Sequence, residues 1–143
     1  MTRVVLIGLA ALVVAGIAVA IFDPDSVSGP DADQQEKSLT KCLRAAGFAI
    51  ESEIPPAGYG NRNPEYAVTV RRDDEIVAEI YLFDFPEEAD SFVDDAKLDA
   101  DNEDEESTIR RRGTAAVDLD SGASTTSAIN ACLDKAGKAK ASD

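Results

Sequence analysis

Leu39-Thr-Lys-Cys-Leu-Arg-Ala-Ala-Gly47 and Ile129-Asn-Ala-Cys-Leu-Asp-Lys-Ala-Gly137 repeat one pattern, apolar-x-x-Cys-Leu-x-x-Ala-Gly, ninety residues apart. They contain the only two cysteines of the chain. In the first, Leu39, Cys42, Leu43 and Ala46 follow i, i+3, i+4, i+7, the apolar stripe of a helix. Ile129, Cys132, Leu133 and Ala136 form the same stripe in the second. Gly47 suits the left-handed residue that ends a helix, with Phe48 as the apolar partner often found beyond it. Each cysteine therefore points into the core near a helix end. A Cys42–Cys132 disulfide is expected if the helices lie side by side, and two buried free thiols are the alternative. There is no C-x-x-C, so redox catalysis is not expected.

The compartment bears on that choice. Val4 to Phe22 is nineteen residues without a charge, and as a helix it spans roughly 28 Å, close to a bilayer's hydrocarbon core. Arg3 precedes it, and Asp23 and Asp25 follow. The positive-inside bias then predicts an internal N-terminus and residues 23–143 outside. The other reading is a secretory signal cleaved near Ala20, after the Ala18-Val-Ala20 site. Both readings make residues 23–143 extracytoplasmic, where paired cysteines usually form a disulfide. A lipoprotein is excluded by the lack of a cysteine near the site. A pilin-like continuous helix is disfavoured by Asp23-Pro-Asp-Ser-Val-Ser-Gly-Pro30.

The chain carries 14 Lys+Arg against 28 Asp+Glu, with Arg3 alone in the first 22 residues, so residues 23–143 hold a net charge of −15. That balance argues against nucleic acid and anionic headgroups as partners. It fits solubility, a basic or divalent-cation partner, or a high-salt habitat. Histidine is absent, which removes the usual neutral-pH base and the commonest metal ligand.

The intervening chain reads as α+β. After the segment at 1–22 and a linker at 23–32, a domain is expected over 33–137, with a disordered tail at 138–143. A first helix leads to three antiparallel strands. The first, Phe48–Ile54, has Phe48, Ile50 and Ile54 in phase. Glu65–Arg72 and Glu75–Phe83 form a hairpin at Asp73-Asp74. A second helix follows from Pro86, with Ala89, Phe92, Val93 and Ala96 as its stripe. A fourth strand over 108–119, broken at Gly113, and a final helix capped by Ser121-Gly-Ala-Ser complete the domain. The first and third helices of the domain are the disulfide-linked pair.

The opening Cys-Leu-Arg-Ala-Ala-Gly-Phe48 and the closing Cys-Leu-Asp-Lys-Ala-Gly resemble a set of small anchored or secreted actinobacterial proteins. In these a first helix ends CLxxxGF and a last helix carries CL. The resemblance implies this fold and a disulfide, and no activity.

Candidate contact residues are few. The ten-residue loop Pro55–Pro64 exceeds common hairpin lengths and presents Tyr59 and Arg62. The outer side of the third strand carries Val77, Tyr81 and Phe83 beside Glu79, so either a helix covers it or it is a contact surface. The acidic run Asp99–Glu106 fails the calcium-loop pattern, with Asp104 and Arg110 where glycine and glutamate are needed. Arg110-Arg-Arg112 reads as its neutralising neighbour. No nucleophile–base pair is evident, so no catalytic, metal or cofactor residue is assigned. The expected function is a non-enzymatic envelope-binding domain tethered through residues 4–22. A divalent-cation-binding acidic module and a carboxylate-based hydrolase are the alternatives.

Overall fold

The computed structural model describes residues 31–56, 63–120 and 122–138. Among them the order is α1 (Ala32–Ala45), β1 (Ala49–Glu53), β2 (Tyr66–Arg72), β3 (Glu75–Leu82), α2 (Pro86–Asn102), β4 (Arg110–Arg112), β5 (Ala115–Leu119) and α3 (Ala123–Ala136). The five strands make one antiparallel sheet in the order β1-β2-β3-β5-β4. No helix of the described residues is long and apolar enough to cross a membrane. The candidate span at 4–22, residues 23–30 of the expected linker and the last five residues lie outside the described residues; the linker's expected end is corrected, because Asp31 is the N-cap of α1 and Ala32 its first residue.

Helices α1 and α3 share the inner face of the sheet. Leu39, Leu43, Ile129 and Leu133 pack there on Val68, Val70, Ala78, Ile80, Leu82 and Val117, all buried. Cys42 and Cys132 are joined, with Cα atoms 5.6 Å apart. The disulfide closes a loop of 90 residues. Helix α2 lies on the outer face over a smaller core of Phe83, Ala89, Val93 and Ala116.

The two cysteine motifs end differently. Gly47 has φ +92, the Gly47 amide donates to Arg44 O, and the Phe48 amide donates to Leu43 O. This is a Schellman end, and it tucks Phe48 back into the core beside Leu43. Gly137 keeps helical φ at −66, because Lys138 has no apolar side chain to bury. Ala46, expected on the buried stripe, sits at the cap and is exposed; Ala32 and Gln35 extend the stripe at its other end.

The segment 108–119 is two strands, which corrects the fourth-strand expectation. Gly113 has φ +64, and Arg112 pairs with Ala115 across the turn. A glycine at the first central position suits a type II′ hairpin turn. β4 had no apolar phase to betray it: it is three exposed arginines at a sheet edge. They alternate in direction. Arg111 pairs with Asp90 of α2, and Arg112 grips Asp134 of α3 through two nitrogens at 2.9–3.0 Å. Arg110 donates to the carbonyls of Ser107 and Ile109. The arginines thus bind one carboxylate on each helix layer, and not the acidic run. Ile54, expected in the strand's buried phase, is 74% exposed beyond the end of β1. At the start of α3, Gly122 is the N-cap and offers no side chain of its own, while the Thr126 hydroxyl donates back to its carbonyl.

Replacing both cysteines by alanine is expected to cost about 4–5 kcal/mol from loop closure alone, read as a lower urea midpoint. The unreduced native protein should resist thiol alkylation at both positions. The β2–β3 turn places Asp73 and Asp74 at φ 52 and 66, a left-handed pair that favours glycine at the second position. Asp74→Gly should therefore stabilise the domain by about 0.5–1 kcal/mol, measured by the same unfolding titration.

Candidate functional site

Strand alternation sends a second set of side chains to the outer face, and the register aligns them in rows. One row runs Glu51, Thr69, Glu79, Asp118 across four strands. The next runs Glu53, Ala67, Tyr81, Ala116, Arg111. Helix α2 covers the β5–β4 side and reaches Tyr81, whose ring centroid is 4.8 Å from that of Phe92. No described element covers the β1–β2 side: Glu51 and Glu53 are exposed, and Ala67, Thr69 and Glu79 are half-buried.

At the edge of that open area, Glu53, Pro55, Thr69, Glu79 and Tyr81 frame a cleft of about 80 Å³. Small-molecule pockets usually measure about 300–1,000 Å³, so the cleft suits one side-chain head rather than a cofactor. Its described lining contains two carboxylates and an aromatic ring, and no basic residue. Neither Glu53 nor Glu79 takes part in an ion pair among the described residues. Glu79 also stands directly opposite Asp118, and like charges facing each other across strands are destabilising. Asp118 is held by the Thr108 hydroxyl, which donates to it.

A second polar group ties the start of α1 to the sheet. Asp31 accepts from the Gln34 amide and Asp84 accepts from the Ala32 amide, both at 2.9 Å. Asp33 accepts from Lys37 and, at 3.1 Å, from the Tyr66 hydroxyl. Buried Gln35 accepts from Thr114. One end of the domain therefore gathers Asp31, the start of β2, the β3–α2 connection and the β4–β5 turn. The bonds from Lys37 and Tyr66 hold the Asp33 carboxyl below its ordinary value, while the same contact raises Lys37 and Tyr66 above theirs. A carboxylate lowered on folding contributes above its ordinary pKa and loses that contribution as pH falls through the lowered value. The carboxyl carbon of Asp33 should titrate with a midpoint below 3.8, and Tyr66→Phe should move that midpoint upward, both followed by carbon NMR.

The three expected contact residues that are described, Val77, Tyr81 and Phe83, do not form one surface. Tyr59 and Arg62 lie outside the described residues. Phe83 is fully buried beneath α2, against Phe92 at 5.4 Å between ring centroids. Val77 packs against the inner core, because the register shifts between Val70 and Arg71 and changes the phase at the start of β3. Only Tyr81 remains half-exposed on the outer face. Sequence reading missed Glu51, Glu53 and Thr69, which become neighbours of Glu79 and Tyr81 only through the register of three strands. Their one signal in the chain was the polar phase of β1 and β2.

Among the described residues, no group of three or more His, Cys, Asp or Glu is arranged to hold a metal ion. No protein-family model matches the chain, and no curated protein or solved structure matches it.

Proposed function

We propose that the domain is a non-enzymatic, extracytoplasmic interaction module, held at the cell membrane by residues 4–22, whose contact face is the open outer surface of β1, β2 and β3. The observation that carries the location is the disulfide between α1 and α3. The chain spends its only two cysteines on one covalent link between core helices, and such links persist in oxidising compartments. The apolar run ahead of Asp31 is consistent with it. Support for the contact face comes from its exposure and from Glu53 and Glu79, which have no ion pair among the described residues: a strand face built only for solubility has no need to align Glu79 with Asp118. A cation-binding role for 99–106 and a carboxylate hydrolase have no comparable observation in their favour.

The test is site-specific photocrosslinking in intact cells, with a photoreactive residue at Thr69 and, as a control, at Lys97 on α2. The expected result is a discrete adduct from position 69 only, recovered in the membrane fraction. Recovery of the chain in the cytosol with both cysteines reduced, and no adduct from position 69, would overturn the reading.

A further inference from the structure

We propose that the cleft framed by Glu53, Thr69, Glu79 and Tyr81 receives the cationic head of a lysine or arginine side chain presented by a partner protein. This rests on the interaction-module reading and names the chemistry of its partner. The argument is one of charge complementarity and size. The walls supply two carboxylates, one from each of the strands that flank β2, and an aromatic ring, with no basic residue in the described lining. The ring packs against Phe92 in a tilted arrangement, with the planes 43° apart, which restricts its orientation before a ligand arrives. A guanidinium or ammonium within about 6 Å of a tyrosine ring is attracted by its quadrupole, and carboxylates accept from it in charge-assisted hydrogen bonds. The volume of about 80 Å³ is on the scale of such a head and well below that of small-molecule pockets. Thr69, between the glutamates, adds a hydroxyl acceptor. Arg71 lies on the same strand, two residues beyond Thr69 and outside the cleft. An arriving cation would also relieve the repulsion between Glu79 and Asp118.

The excess negative charge of the domain attracts every cation weakly, so the test must separate the cleft from that background. Nitrogen-labelled full-length protein in zwitterionic micelles, at physiological salt, is titrated with Nα-acetyl-lysine amide, Nα-acetyl-arginine amide and neutral Nα-acetyl-norleucine amide. The expected result is saturable amide shifts at Thr69, Glu79, Ile80 and Tyr81 with both cationic probes, at millimolar affinity, and none with norleucine. Glu53→Gln and Glu79→Gln should each weaken binding about tenfold, the scale of one lost charge-assisted contact. Glu103→Gln, which removes the same charge far from the cleft, should not. Shifts that never saturate, that centre on residues 99–106, or that persist in both cleft variants would overturn the proposal. If the crosslinked adduct from position 69 survives Glu53→Gln and Glu79→Gln, the interaction module stands and this occupant does not.

Discussion

Two helices ninety residues apart in the chain must lie side by side on one sheet face, and the rest of the domain leans on that contact. A core whose only buried aromatic residues among those described are Phe48 and Phe83 is built mainly from leucine, isoleucine, valine and alanine, each burying modest area. Such a core gains from any restraint on the unfolded chain. The disulfide supplies it where the helices meet, and buried Gln35, bonded to Thr114, ties the same layer to the β4–β5 turn. Helix α2 then has only a minor task, closing the opposite face over Phe83 and Ala116. Among the described residues, that asymmetry leaves the β1–β2 half of the outer face uncovered.

Much of this was legible because burial writes itself into spacing. The stripes of α1, α2 and α3, the Asp73-Asp74 hairpin and the disulfide all follow from periodicity and from two cysteines in matching places. What escaped was what periodicity does not encode. Arg110-Arg-Arg112 has no apolar phase, so its pairing with Ala115–Val117 rests on Gly113 alone. The shift at Val70/Arg71 turns Val77 inward, although strict alternation from Tyr81 puts it outside. Phe83 looked like surface because the helix that buries it is a separate element, reached only through the Phe92 contact.

The candidate site was less legible than the fold for a related reason. A single strand shows Glu79 and Tyr81. Glu51, Glu53 and Thr69 join them through backbone pairing between strands, and no one-dimensional pattern states that register. The acidic run at 99–106, the most conspicuous feature of the composition, turned out to be the hydrogen-bonded end of α2: Asp104, just past the C-cap Glu103, is left-handed at φ 56, the Glu105 amide donates to Ala100 O, and no basic residue stands in the last turn to offset the dipole there.

The two outer strands of the sheet have a consequence for how the protein behaves in crowded surroundings. β4 is three residues long and carries only arginine. β1 is five residues long, ends before Pro55-Pro56, and turns Glu51 and Glu53 to its open side. Unpaired strand borders are templates for cross-β stacking, and short length, charge and proline are what block it. Both borders are so defended. Copies of the domain that meet edge to edge are therefore hindered from zipping into fibrils, even with an exposed sheet face.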